Sequence, residues 1–367
     1  MKSNLYKFNP ILLILMFLSV SVSSQSITKE NTIVRSFALA DDTEIEVTNK
    51  YGDINIENWD KDSIKIEIIY KVTSVKESRL NLIYDAINFD FKANQYYVYV
   101  KTIFEGRGSF WFDVTDIASN LFAAGTHTSI DYTIYIPANR DISLNLKYGN
   151  VYMTNHSGHF KLELSNGDFK AHSLSGDTDL DVMFGDISVK NLTKGMVNLR
   201  YGTFGLENAD YLSLTGQSSE FDFGTINELV VDSKRDKISL EEVNILTGQN
   251  YFTRLVIDEI GVKLDLSTKY GSIKLKEIGA QVKNVQLSSY NTSVSLYFQK
   301  DNNYFINLVS DDKADVTYSA NIGEFTTKKL PGKEKLMQAE CLIGDKNLAI
   351  PIDVDIKSGF VTLKMKE

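Results

Sequence analysis

The hydrophobic positions of this chain recur at fixed distances from a repeated turn. When Gly149 is taken as position zero, equivalent positions follow at steps of 17 to 21 residues. The residues two and four places after each zero position are all apolar, and with 43% hydrophobic residues chance would make fewer than half of them so. The zero positions are Gly149, Gly167, Gly185, Gly202, Ser219, Asp236, Thr253, Gly271 and Thr292.

The spacing within each repeat predicts strands. Apolar residues at +2 and +4 have the period of a half-buried strand. Another apolar position lies five residues before zero in every repeat except one, where it is Gly248, and a further one at +7 indicates a corner. One such coil cannot bury its inward face alone, so neighbouring coils must stack and share a core. The pattern predicts an all-β fold, a β-solenoid similar to a single-stranded β-helix, with coils of 17–18 residues.

The same frame extends toward both ends of the chain, because Gly52 and Gly359 also occupy position zero. Between Gly52 and the regular array lies an aromatic-rich insertion. In it, residues 132–136 are a predicted strand ended by Pro137, and residues 116–124 are a predicted short helix. The predicted organisation is a signal peptide at 1–24, a first coil plus insertion at 36–143, regular repeats at 144–298, and irregular C-terminal coils and a cap at 299–367.

The N-terminus has the features of a secretory signal peptide. Lys2 and Lys7 form a basic region, residues 10–20 are apolar, and residues 21–24 are small and offer a cleavage point. The apolar run is short for a membrane span and has no stop-transfer flank, so we expect no transmembrane segment in the mature chain. The protein is therefore predicted to be exported, to the periplasm or to the cell surface and beyond.

Charge and motifs narrow the function classes. The net charge is −9, which is unfavourable for nucleic-acid binding because that requires a basic surface. Cys341 is the only cysteine, so an exported chain has no internal disulfide and depends on its core for stability. No nucleophile elbow, phosphate-binding loop or dinucleotide fingerprint is present. We expect neither an enzyme nor a cofactor.

Two segments carry a resemblance to a known family. They are residues 49–67 (NKYGDINIENWDKDSIKIE) and 132–153 (YTIYIPANRDISLNLKYGNVYM). They resemble the bacterial putative-adhesin family, a domain of unknown function with a repeated Asn-Gly-Asp-Ile turn. The resemblance covers most of residues 40–300 and implies a stacked β-solenoid in the cell envelope, with adhesion as its proposed role. This chain departs from the family pattern by placing Tyr or Phe before several turn glycines.

Aromatic residues form the candidate interaction surface. An aromatic side chain precedes position zero in five of the nine coils. Stacked coils would align these rings along one edge, either as a platform for sugars or peptides or as packing that covers the turns. A second group lies in the insertion; exposed, it would be an interaction patch, and buried, a cap on the first coils. The two groups are Tyr148, Phe184, Tyr201, Phe252 and Tyr270, and Phe110, Trp111 and Phe112.

Two polar patterns suggest metals but have simpler interpretations. Asp53, Asp168 and Asp186 follow turn glycines, but a calcium site needs six to eight clustered oxygen ligands, so one acid per turn favours turn chemistry. His156 and His159 have the spacing of metal ligands. Because His156 falls on the +7 corner, we interpret it as a histidine at the edge of the core.

The leading hypothesis is a non-enzymatic envelope protein that binds or scaffolds through its solenoid. Its partner is unknown, and a glycan or a protein of the cell envelope would fit. One alternative is an enzyme that acts on polysaccharides from the same scaffold, which predicts a cleft lined by charged residues of adjacent coils. Another is a part in envelope-stress signalling, which the family resemblance allows.

Overall fold

The structure is a computed structural model that describes residues 26–105, 125–331 and 333–366. Of these residues 74% are in β-strands, and the described part contains one α-helix, α1 (Glu77–Ala86). The predicted signal peptide, the predicted helix at 116–124 and the aromatic group at 110–112 lie outside the described residues. The strands are β1 (Ile27–Ala38), β2 (Glu44–Tyr51), β3 (Ile54–Asn58), β4 (Ser63–Ser74), β5 (Ile87–Ala93), β6 (Tyr97–Phe104), β7 (Thr126–Ile136), β8 (Ile142–Tyr148), β9 (Val151–His156), β10 (Phe160–Ser165), β11 (Phe169–Met183), β12 (Ile187–Arg200), β13 (Thr203–Gln217), β14 (Glu220–Lys234), β15 (Lys237–Tyr251), β16 (Arg254–Lys269), β17 (Ser272–Leu275), β18 (Asn284–Phe298), β19 (Tyr304–Asp311), β20 (Ala314–Tyr318), β21 (Thr326–Leu330), β22 (Lys333–Ile343) and β23 (Ile350–Met365).

The predicted β-solenoid is confirmed, with neighbouring coils paired in parallel. Equivalent positions of the repeat lie side by side, so like residues stack along the core. The column at −5 contains Leu162, Leu180, Val197, Leu214, Val231 and Gly248 in successive coils. The column at +2 contains Phe169, Ile187, Phe204, Phe221, Ile238 and Leu255. Apart from the glycine, these side chains are buried, as the alternating pattern predicts.

The coils have one sharp turn and one smooth corner. From β11 to β16 each strand runs without interruption through the predicted +7 corner, where Leu174, Leu192 and Ala209 pack inward. The break comes only at position zero. The sequence predicts short strands before and after each turn. In the structure, the strand that follows one turn and the strand that precedes the next are continuous, and this one long strand bends around the core at +7.

The N-terminal coil lies inside the stack and not at its end. Its strands β2 and β3 pair with β8 and β9 on one side and with β6 and β7 on the other. The insertion thus supplies the next coil outward, and its predicted strand at 132–136 is the second half of β7. Arg140, in the loop between β7 and β8, connects that loop to the segment before β2: its Nη1 donates to the carbonyl oxygens of Ala40 and Asp41 at 3.1 and 3.0 Å.

The C-terminal end has the same arrangement. β23, the last strand of the chain, pairs in parallel with β18 on one side and with β19 and β20 on the other. β22 then covers β19 as an antiparallel neighbour, and β21 covers β22. The repeat pattern predicts irregular coils from residue 299 onward, but residues 299–349 contain four strands. β19 and β20 continue the parallel stack, whereas β21 and β22 pair antiparallel and lie outside the coil spacing on which the repeat frame depends.

The chain divides into two compact units. The larger comprises residues 31–70, 88–103 and 129–367 and contains the solenoid. The described part of the smaller unit contains α1, whose Leu80 and Ile83 are buried, together with short strand ends on which Thr28 and Thr73 share a hydrogen bond of 2.9 Å. In the described ranges, no helix has the length and apolar character needed to cross a membrane.

Candidate functional site

The residue before position zero adopts a left-handed backbone conformation in every coil from Asn166 onward. Its φ lies between 52° and 61° at Asn166, Phe184, Tyr201, Ser218, Arg235, Phe252, Tyr270, Asn291 and Ser358. A left-handed residue reverses the chain in a single step, and for a bulky side chain this conformation costs about 1–2 kcal/mol. We call these residues, with Tyr148 and Tyr51 of the first coils, the turn column.

Close packing of neighbouring coils explains why several coils have glycine at position zero, directly after the turn-column residue. A Cβ built on Gly167 would lie 1.7 Å from the carbonyl oxygen of Gly149, and one on Gly185 would lie 1.7 Å from that of Gly167. In later coils, position zero carries Ser219, Asp236 and Thr253, which are buried. The backbone there leaves room for a short polar side chain.

These polar side chains form a network beneath the turns. The Asp236 carboxylate accepts hydrogen bonds from the Ser219 N–H at 2.7 Å, the Ser233 hydroxyl at 2.7 Å and the Lys234 N–H at 3.0 Å. Burial raises the pKa of Asp236, and these donors act against that effect. The network holds the turns that carry the aromatic residues.

The aromatic members of the turn column are exposed, by between 37% and 50% for Tyr148, Phe184, Tyr201, Phe252 and Tyr270. They form three clusters. Tyr148 stacks on the buried Tyr51 at 5.5 Å, Phe184 stacks on Tyr201 at 5.0 Å, and Phe252 stacks on Tyr270 at 5.0 Å. The clusters are separated by Asn166 and by Ser218 with Arg235, as the sequence indicates. Adjacent rings therefore cover one another and present their edges to solvent.

The third cluster is larger than the sequence indicates. Tyr251 and Tyr290 lie one residue before the turn column and are also about as exposed as its members. The Tyr251 ring contacts those of Phe252 and Tyr270 at 5.5 and 5.9 Å, and the Tyr290 ring contacts Tyr270 at 5.4 Å. We call Tyr251, Phe252, Tyr270 and Tyr290 the tyrosine cluster. Both added tyrosines lie two residues before position zero, and the repeat pattern found in the sequence does not include that position.

Two concavities flank the tyrosine cluster and share Tyr251. The first has a volume of about 420 Å³ and is lined by Lys269, Tyr270, Tyr290, Asp355 and Lys357, with serine and threonine residues. The second, of about 400 Å³, is lined by Lys234, Arg235 and Phe252 among others. Both are open to solvent. Cationic, aromatic and hydroxyl groups thus converge along one edge of the solenoid.

The aspartates after the turn glycines bind backbone groups of the next coil. The N–H of Asp186 donates to Asp168 Oδ1 at 3.0 Å, and the N–H of Thr203 donates to Asp186 Oδ1 at 2.9 Å. Asp53 accepts from the N–H of Asn150 at 2.8 Å, and Asn150 Oδ1 accepts from the N–H of Asp168 at 2.9 Å. The expected turn chemistry thus extends from coil to coil, and we call this series the Asx ladder.

The two histidines of the H-x-x-H pattern have different surroundings. His156 is buried at the corner beside Leu174, as predicted, with its ring 6.0 Å from that of Phe160. Burial lowers its pKa to about 4. His159 is exposed and lies 3.0 Å from Asp179. Within the described ranges, no group of three or more His, Cys, Asp or Glu residues is placed to hold a metal ion.

Cys341 is buried in the C-terminal coil, where its Sγ lies 3.8 Å from the carbonyl oxygen of Ile322. Burial raises the pKa of its thiol, which disfavours the reactive thiolate. A nucleophilic role has no support in this environment.

One face of the solenoid carries a different concavity, of about 540 Å³. Glu207, Asp222 and Glu241 line it from successive coils, and Lys190 pairs with Glu207 at 3.4 Å. This is the kind of acid-lined surface that the enzymatic alternative predicts.

Comparison with known proteins gives low similarity. No protein-family model matches the chain, and no curated protein does. A solved structure of a putative cell adhesion protein from Clostridium sporogenes ATCC 15579 is 12% identical, with a TM-score of 0.22 and coverage of 92% of this chain and 100% of that chain. A putative adhesin from Bacteroides fragilis NCTC 9343 is 12% identical, with a TM-score of 0.24 and coverage of 92% and 97%. Similarity this low supports no argument about function, and the family resemblance stays a prediction.

Proposed function

We propose that this protein is an exported, non-enzymatic binding protein whose solenoid presents the tyrosine cluster to a ligand of the cell envelope. The observation that carries the proposal is the conformation of the turn column. Phe252 and Tyr270 are held in a left-handed conformation that disfavours large side chains, and their rings are half exposed. Asn166 and Asn291 adopt the same conformation, so the turn itself does not require an aromatic residue.

The chain offers a substitution that tests this idea without disturbing the turn. Replacing Phe252 and Tyr270 together by asparagine, the residue that two other coils carry at this position, should preserve the fold. Binding to the protein's ligand, found by screening envelope glycans and peptides, should weaken about tenfold or more, since aromatic anchors dominate binding surfaces. Surface plasmon resonance of the wild type and of F252N/Y270N measures this.

The matched control is M196N/L348N, which removes two exposed apolar side chains away from this edge. It should bind like the wild type. Equal losses in both variants, or no glycan or peptide ligand that responds to F252N/Y270N, would refute a binding role for the tyrosine cluster.

Polysaccharide cleavage is the second candidate, and the acid-lined concavity of Glu207, Asp222 and Glu241 favours it. The same screen tests for cleavage if the reducing ends of each polysaccharide are measured before and after incubation with the protein. Their release by the wild type and not by E207Q/D222N would replace the binding proposal with an enzymatic one.

A further inference from the structure

The edge that carries the aromatic residues is basic, although the chain as a whole is acidic. None of the turn-column residues from Tyr51 to Ser358, and none of the residues directly before them, is an aspartate or glutamate. The first acid on this line is Asp311, at the end of β19, which accepts a hydrogen bond from the Ser358 N–H at 2.9 Å. Elsewhere, many lysines pair with acids, such as Lys190 with Glu207 and Lys276 with Asp258. This difference makes the edge a local positive surface on a protein of net charge −9.

Farther along this edge Arg200 pairs with Asp181, but four cations around the tyrosine cluster lack acidic partners. Lys234, Arg235, Lys269 and Lys357 are exposed, and none of them lies within ion-pair distance of a carboxylate in the described ranges. Two contact aromatic rings instead: Arg235 lies 6.0 Å from the centre of Phe252, and Lys269 lies 5.7 Å from that of Tyr251. Their charge is therefore available to an anionic ligand.

The order of side chains along the edge is regular. Successive coils at position −2 present Lys234, Tyr251, Lys269, Tyr290 and Lys357, each paired in register with the next. Because neighbouring strands lie about 4.8 Å apart, the lysines recur about every 10 Å with a tyrosine between them. The two concavities beside Tyr251 are lined by these same residues: Lys234 lines one, and Lys269, Tyr290 and Lys357 line the other.

We propose that this edge binds a linear acidic polysaccharide that carries one carboxylate on every second sugar. This inference rests on the proposed function and names the ligand of the same site. The polymer lies along the solenoid axis, with its carboxylates on Lys234, Lys269 and Lys357. The uncharged sugars between them pack on Tyr251 and Tyr290, whose rings offer apolar contact and whose hydroxyls offer hydrogen bonds.

The geometry favours a saccharide over single-stranded nucleic acid. Nucleic-acid bases bind by stacking on open aromatic faces. The faces of Phe252 and Tyr270 are turned to each other, 5.0 Å apart and inclined by 14°. Each concavity also has one acid in its wall, Asp355 or Asp232, the latter accepting from Gln249 Nε2 at 3.0 Å. Sugar hydroxyls can donate to these carboxylates, and a polymer with a charge on every second unit is repelled by them less than a nucleic acid with a phosphate on every unit.

The test is calorimetric titration of the purified protein with four probes of equal length. They are hyaluronan, with a carboxylate on every second sugar; polygalacturonate, with one on every sugar; neutral dextran; and oligothymidylate. We expect hyaluronan to bind most tightly, dextran and oligothymidylate not to bind, and added salt to weaken the interaction.

The variant K234Q/K269Q/K357Q should weaken hyaluronan binding about tenfold, as expected for three exposed charge pairs. The control K170Q/K283Q/K346Q changes the same charge at exposed lysines elsewhere and should bind like the wild type. Equal losses in both variants, or tighter binding of oligothymidylate, would overturn the inference.

The failure of this inference is distinguishable from that of the proposed function. If dextran or a peptide binds and F252N/Y270N abolishes that binding, the edge is a binding site but its ligand is not an acidic polysaccharide. If no probe or screened ligand responds to either edge variant, both proposals fail together.

Discussion

His156 is an ionisable side chain in a column of aliphatic ones. Its pKa of about 4 in the folded chain lies below the value of about 6.5 expected when unfolded. Between these values the unfolded state binds more protons, so the stability falls as the pH drops below about 6.5. The full loss, reached below about pH 4, is on the order of 3 kcal/mol.

The substitution His156→Leu tests this account, because leucine occupies the next position of the same column at Leu174. Urea unfolding at about pH 7.5 and about pH 4.5 should show a stability gain over the wild type that is larger at the lower pH by about 2–3 kcal/mol. His172→Gln, at an exposed histidine, is the control and should follow the wild type. A gain that is the same at both pH values would contradict the prediction.

Sequence reasoning identified the aromatic residues of the turn column but not their full setting. Their spacing from position zero was enough to align them, because the coils pair in register. The pattern could not show that Phe252 and Tyr270 stack face to face, since ring orientation depends on side-chain rotamers. Tyr251 and Tyr290 were missed because alternation assigns position −2 to the polar outer surface, where a tyrosine carries no special signal.

The Asx ladder connects the turns of neighbouring coils and should stabilise them. Asp186→Ala removes the acceptor for the Thr203 N–H, and we expect a loss of about 1 kcal/mol in the free energy of unfolding. Asp186→Asn should be nearly neutral, since Asn150 makes the equivalent bond in its own coil.

Urea denaturation of the two Asp186 variants provides the measurement. Asp222→Ala, which removes an exposed carboxylate from β14, is the control and should change the stability little. If Asp186→Asn were as destabilising as Asp186→Ala, charge and not hydrogen bonding would explain the aspartates.

At the level of elements, the alternation of apolar and polar residues predicts the strands of the regular array, but it does not predict three other features. The smooth corner has no Gly or Pro signal, because inward aliphatic residues such as Leu192 let the strand bend without a break. Helix α1 has its buried Leu80 and Ile83 at helical spacing, yet it is short and surrounded by strand-like sequence. β21 and β22 have no common frame with the coils, since their antiparallel pairing imposes a different register.

The placement of β23 between β18 and β19 makes the last strand a structural centre of the C-terminal region. Val354 is buried between Leu287 and Leu308. Val354→Asp places an unpaired charge there, which should cost about 3 kcal/mol or more. Hydrogen exchange should show that β18 and β19 both lose protection, while β12 to β14 keep theirs because coils contact only their neighbours.

The control for this prediction is Lys364→Asp, which introduces the same residue at an exposed position of β23. It should leave the exchange pattern unchanged. Continued protection of β19 in Val354→Asp would mean that the outer coil is held by β22 alone.

The inward position of β23 also constrains the order in which the molecule can be assembled. A solenoid with simple ends can add one coil at a time as the chain emerges from the ribosome. Here β19 and β20 are synthesised before the strand that separates them from β18, so they lack their inward neighbour until β23 appears. Attachment of these outer strands to the stack must therefore wait for β23, although they precede it in the chain.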